Sequence, residues 1–162
     1  MPAMWKRCSP GCVKLELWMN KLTFEEFLAR DGRLVYSNVG DSMLPLIRQG
    51  RDLLVIKPKT GRLKKYDIPL YKRGSGRYVL HRVLKVRPGD YVICGDNRWS
   101  REYGITDENI VGVLAAVIRD GKEIPVSDWR LRLYAHLWCD LFPLRAFILR
   151  GLYIMKRVRR RL

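Results

Sequence analysis

A serine hydroxyl, an imidazole and two carboxylates stand in the middle of this 162-residue chain: Ser42, His81, Asp96 and Glu102. These are the groups that nucleophilic acyl transfer uses. A serine hydroxyl is a poor nucleophile at neutral pH until a neighbouring base takes its proton. His81 is the only imidazole in the central part of the chain, and the other, His136, is isolated near the end. A third group must hold the imidazole in the tautomer that leaves one nitrogen free to face the serine. Asp96 and Glu102 follow the next strand-like run and have equal claims to that role. Ser42 itself belongs to the run GDSMLP at 40–45, where Gly40 and Asp41 make a turn and a stiff Met-Leu-Pro follows. Outside this context, a turn serine that satisfies a backbone amide and a half-buried strand histidine are the commoner fates of such residues.

The elements that must position these groups are mostly short strands. Segments 34–39 and 52–57 read as strands on either side of the serine turn. A strand over 64–72 is interrupted by Pro69, and two glycines in 73–77 turn it back as a hairpin into a strand over 78–86. Segments 91–94, 110–118 and 122–125 complete the pattern, separated by Pro-Gly-Asp and Asp-Gly turns. Thr23 followed by Glu26 is a capping box that opens a short helix, and Asp31-Gly32 stops it. Near the other end, apolar residues recur at helical spacing over 129–142 and 144–155, predicting two amphipathic helices joined near Pro143. A further short strand is read at 13–18 from VKLELW. The fold class is therefore mainly β, with a short N-terminal helix in 1–32, a β core over 33–126 and a helical tail over 127–162.

Composition excludes a disordered chain, since 48% of residues are hydrophobic. The net charge is +16, so an anionic membrane surface or a nucleic acid is a candidate partner. Much of the excess lies in 127–162, where nine basic residues face two acidic ones and the chain ends KRVRRRL. Tryptophan, tyrosine, leucine and arginine together suit a membrane interface, whereas nothing beyond charge supports nucleic acid. The four cysteines, at 8, 12, 94 and 139, form neither a disulfide framework nor two zinc knuckles. Cys8 and Cys12 alone make an incomplete metal site, and no metal is expected. No apolar core of a secretory signal is visible before charges interrupt it, and the apolar stretch 141–155 is broken by Pro143, Arg145 and Arg150. Peripheral membrane association or a cytoplasmic location is the expectation, and oligomeric state is left open.

Four runs carry a resemblance. GDSMLP at 40–45, YVLHRVLKV at 78–86, YVICGDNRWSRE at 91–102 and NIVGVLAAVI at 109–118 follow one another as in the signal peptidase I and LexA-type serine peptidases. The resemblance spans residues 33–118. Bacterial signal peptidases and LexA-like proteins place a lysine where His81 stands. The endoplasmic-reticulum and archaeal branch places a histidine there in the same His-Arg-Val context, and this chain is similar to that branch. The resemblance implies a coiled β-sheet fold and a serine endopeptidase that cleaves signal-type or leader peptides by a Ser42 and His81 mechanism, with an extended peptide or protein as substrate and no cofactor. Asp96 matches the family's Gly-Asp-Asn run, while Glu102 falls where signal peptidases carry a site aspartate. Where some relatives offer a hydroxyl to the oxyanion, this chain has Gly40, so backbone amides of the Gly40-Asp41-Ser42 turn are left for that task. A LexA-like self-cleaving regulator is the alternative, but no Ala-Gly or Cys-Gly precedes Ser42. A catalytically silent module that holds a peptide or a membrane surface is the third reading.

Overall fold

A computed structural model describes residues 22–159, with side chains as far as Met155. The strand expected at 13–18 and the pair Cys8 and Cys12 lie outside the described residues. The first helix, α1 (Phe24–Asp31), starts and stops as its sequence directs. The Thr23 side chain accepts from the Glu26 amide at 3.2 Å, and the Glu26 carboxylate accepts from the Thr23 amide at 2.7 Å. Gly32, at φ +64°, takes the left-handed conformation and donates its amide to the Leu28 carbonyl, which ends the helix.

The strands are β1 (Leu34–Ser37), β2 (Asp52–Lys57), β3 (Pro69–Lys72), β4 (Tyr78–Leu80), β5 (Arg82–Val86), β6 (Tyr91–Cys94), β7 (Glu102–Ile105), β8 (Ile110–Arg119) and β9 (Lys122–Pro125). One antiparallel sheet has the order β1-β2-β8-β3-β4, with β9 also paired to β8, and it curls into a half-barrel. A second sheet has the order β5-β6-β7. Curling brings the two outer strands of the first sheet close together. The Phe24 ring of α1 touches Tyr36 on β1 at 5.3 Å and Tyr78 on β4 at 4.6 Å between centroids. Helices α2 (Trp129–Asp140) and α3 (Phe142–Arg159) follow the last strand. The whole is a mixed α and β domain, a curled antiparallel sheet flanked by helices at both ends. Among the described residues, no helix is long and apolar enough to cross a membrane.

Two apolar cores hold these layers. The larger lies between α1, the serine turn and the first sheet, and includes Phe27, Leu28, Met43, Ile47, Ile56 and Leu114. The smaller joins the sheets, since Tyr71 comes from β3 while Val83, Tyr91 and Ile93 come from β5 and β6. Gly112 on β8 lets α1 approach the larger core. A methyl group there would stand 2.6 Å from Ile56 Cγ2, 2.8 Å from the Lys57 carbonyl oxygen and 3.0 Å from Leu28 Cδ1.

Three expectations change. The segment 78–86 is two strands in different sheets, broken at the single residue His81. The strand read over 64–72 begins only at Pro69, because proline has no N–H to give a ladder and is tolerated at a strand's first position. Residues 64–67 instead form a turn in which Asp67 accepts from the Lys64 amide at 2.7 Å. Strand β7 was not foreseen. Its sequence EYGI contains a glycine at φ +73° and is half exposed, so it carries no alternating signal.

Replacing Gly112 by alanine should overpack the joint between α1, β2 and β8 and lower stability by about 1–3 kcal/mol. Urea unfolding of the variant measures this. An unchanged midpoint would mean that the strands separate without cost.

Candidate active site

The change of sheet at His81 explains the direction of its side chain. Successive residues of an extended chain point to opposite sides. His81 therefore faces the cleft, while Arg82 points away from it. His81 is 6% exposed. Its Nδ1 lies 2.9 Å from Glu102 Oε1 and 3.1 Å from the Tyr71 hydroxyl. Tyr71 donates its hydroxyl to Glu102 Oε2 at 3.0 Å, and Arg73 donates Nε to the same oxygen at 3.0 Å and Nη2 to Oε1 at 2.5 Å. Glu102 thus sits under three donors. Burial pushes its pKa up, but the hydrogen bonds from His81, Arg73 and Tyr71 outweigh burial and hold the carboxyl at about 2. An ionised Glu102 accepts a proton-bearing Nδ1, which fixes the tautomer with a bare Nε2.

Asp96 occupies a different place. It is fully buried and takes a two-pronged ion pair from Arg82, with Nε to Oδ1 at 2.9 Å and Nη2 to Oδ2 at 2.7 Å. Tyr134 donates to the same carboxylate at 3.3 Å, and Trp138 Nε1 donates to the Asp96 carbonyl at 2.7 Å. Of the two acids with equal claims on the imidazole, Glu102 touches it and Asp96 does not. The neighbour of His81, rather than His81 itself, is what Asp96 holds.

Ser42 and His81 line one cleft of about 550 Å3, together with residues 36–39 beside β1 and 78–80 of β4. Gly95 lies between them. A methyl group on Gly95 would be 2.7 Å from the Ser42 carbonyl oxygen and 3.0 Å from both Nε2 and Cδ2 of His81. The Ser42 carbonyl and the Nε2 edge of the imidazole thus both lie against Gly95. No hydrogen bond joins the Ser42 hydroxyl to His81 among the described residues. Neither the hydroxyl nor the amide of Ser42 has a hydrogen-bond partner there, and the residue is half-buried.

The turn around Ser42 is held from both sides. Gly40, at φ +108°, adopts a conformation that a side chain would strain, and its amide donates to Gln49 Oε1 at 2.8 Å. That amide is spent, which leaves the Asp41 and Ser42 amides as the donors of the turn without a hydrogen-bond partner among the described residues. Asp41 is exposed and pairs with Arg98 at 2.6 Å. Asn97 donates its amide to the Ser42 carbonyl at 2.8 Å and its side-chain nitrogen to the Asp41 carbonyl at 3.1 Å. Met43 is fully buried beneath the turn.

No family model, no curated protein and no solved structure matches this chain.

The site contains groups that the sequence reading passed over. Tyr71 and Arg73 belong to the Glu102 cluster, and Gly95 and Asn97 do the work at the serine turn. The Gly-Asp-Asn run at 95–97 is the signal in the sequence for these last two residues. Neither Lys72, paired with Glu25 at 3.4 Å, nor the exposed Lys85 lines the cleft that holds Ser42 and His81. Among the described residues, no group of three or more histidine, cysteine or acidic side chains is placed to hold a metal ion. Cys94 and Cys139 are buried free thiols, and burial pushes both up, Cys139 to about 11, which keeps them protonated at neutral pH.

Helices α2 and α3 reach the back of the same loop. Arg145, one of the residues expected to interrupt the apolar stretch 141–155, is 2% exposed. Its Nη2 donates to the carbonyls of Gly95 at 2.8 Å and Arg98 at 2.7 Å. The guanidinium lies over the Phe142 ring at 4.9 Å and the Trp138 ring at 5.8 Å. The tail therefore touches the loop that carries Gly95 and Asp96.

The depressed Glu102 carboxyl makes stability depend on pH in a definite direction. Its folded value of about 2 is below the ordinary 4.5, so its contribution is full above about pH 4.5 and is lost as pH falls toward 2. The wild-type melting temperature should drop across that window, and Glu102→Gln should remove part of the slope. Superimposable slopes for the two proteins would show that the three donors do not favour the ionised form.

Proposed function

We propose that this chain is a serine endopeptidase of the kind it resembles, the signal peptidase I and LexA-type enzymes with a histidine base. One observation carries the reading: Nδ1 of His81 is held by an ionised Glu102, its Nε2 edge lies against Gly95 beside the Ser42 turn, and His81 shares one cleft with a Ser42 whose hydroxyl has no other partner among the described residues. In the mechanism, Ser42 Oγ attacks the scissile carbonyl carbon as His81 Nε2 takes its proton. The imidazolium returns that proton to the leaving amine, and the acyl-enzyme forms. Water then attacks the ester, with His81 again as base, and frees Ser42. The unbonded amides of the Asp41-Ser42 turn are the donors for the developing oxyanion.

The cleft also fits an extended peptide or protein substrate. It is bounded by β1 and β4, the outer strands of the first sheet, whose unpaired backbone groups are ready to form a ladder with an added strand. The substrate class, a signal-type or leader peptide, comes from the resemblance alone.

The absence of a hydrogen bond between Ser42 and His81 favours a second reading, a module that holds a peptide in this cleft without cutting it. Labelling by a fluorophosphonate, which reports an activated serine, separates the two. The peptidase reading expects labelling that Ser42→Ala abolishes and that His81→Gln slows by about a hundredfold or more. Cleavage of leader-type peptides should fall in parallel. No labelling of wild type, or equal labelling in the His81 variant, would leave the binding module as the better account.

A further inference from the structure

We propose that the outward faces of α2 and α3 dock on an anionic lipid surface. The inference rests on the shape and charge of these helices and uses none of Ser42, His81 or Glu102. The inward face of the pair is defined by Ala135, Cys139, Arg145 and Leu149, all buried against the domain. An ordinary surface helix would turn polar residues the other way. Here apolar side chains share the outward positions with arginines: Leu133, Leu137, Leu144, Phe147, Ile148 and Ile154 are all exposed, Phe147 at 77%. From Arg150 to Met155 no residue of α3 is buried, and of these Tyr153 alone meets an aromatic ring among the described residues, that of Trp99 at 5.4 Å. Exposed apolar rows on successive helices mark an interaction surface.

Charge selects the occupant. The exposed arginines 130, 132 and 150 have no acidic partner among the described residues. Between residues 129 and 159 the one acid is Asp140, and it is already bonded to Lys65 and Tyr66. Arg130 lies over the ring of Trp129 at 5.5 Å, and Trp129 is itself exposed, an arrangement that suits the boundary between headgroups and acyl chains. Five more basic residues follow in KRVRRRL at the chain end. A second copy of the chain would bring two strongly basic tails together, against their mutual repulsion. A nucleic acid would use the arginines but would leave the leucines and Phe147 in water. An anionic bilayer takes both, the apolar side chains into its interface and the arginines at its phosphates.

Full-length protein should sediment with vesicles of phosphatidylglycerol and phosphatidylcholine in equal parts at low salt. Binding should weaken as salt screens the charges. It should be absent with phosphatidylcholine alone. The double variant Leu144→Ser, Phe147→Ser changes only exposed side chains. It should keep its circular dichroism and bind about tenfold or more weakly. Arg130→Gln should weaken binding about fivefold. Failure to bind the anionic vesicles, or undiminished binding by the double variant, would overturn the proposal. So would a wild-type dimer in sedimentation that the double variant dissolves without any lipid binding, which would make the face a self-interface. Equal binding of wild type and double variant to an RNA oligonucleotide, with none to vesicles, would assign the charge to nucleic acid and also overturn it.

Discussion

The carboxylate of Glu102 is the point on which the rest of the domain turns. It stands at the start of β7 in the second sheet, and its donors come from elsewhere: Tyr71 from β3 in the first sheet, Arg73 just after it, and His81 from the joint between the sheets. One acid therefore ties the two sheets together and orients the imidazole in the same act. Removing any single donor would leave a half-buried charge undercompensated, and removing the acid would leave Arg73 and Tyr71 without their shared acceptor. Packing between the sheets through Tyr71 and the direction of the His81 ring are not independent features.

The second acid shows how the chain keeps two similar groups apart. His81 and Arg82 are adjacent, and extended backbone sends them to opposite sides, so each finds its own carboxylate: Glu102 for the imidazole and Asp96 for the guanidinium. Asp96 is fully buried with two bonds from Arg82, and it serves to hold the loop whose next member, Asn97, grips the serine turn. The Gly-Asp-Asn run is thus a set of distances. Gly95 supplies the close approach between Ser42 and the ring, Asp96 the anchor, and Asn97 the clasp.

How much of this the sequence disclosed follows from the range of the interactions involved. The capping box of α1, the Gly32 stop and the turn before Ser42 are local, and a few neighbouring residues suffice to specify them. His81 stood out as the one imidazole of the central segment, and Ser42 and Glu102 through the runs GDSMLP and GDNRWSRE to which they belong. The assignment of Glu102 rather than Asp96 to the imidazole was not visible, because it depends on which sheet each strand joins, and the break of 78–86 at His81 decides that. Tyr71 and Arg73 read as ordinary strand and turn residues until β3 is laid beside the second sheet. Arg145 gave the most misleading signal. An arginine in an apolar helix reads as a polar interruption, and only the carbonyls of Gly95 and Arg98 explain its burial.

The contacts of α2 and α3 with the loop at 94–98 impose an order in time. A polypeptide is made from its N-terminus, so every residue of the cleft is synthesised before Trp138 and Arg145 exist. Until those two emerge, the carbonyl oxygens of Gly95, Asp96 and Arg98 lack the guanidinium and indole donors that the finished domain gives them. The nascent chain carries a complete set of cleft residues on an incompletely braced loop, and completion of the domain waits for its last helix to leave the ribosome.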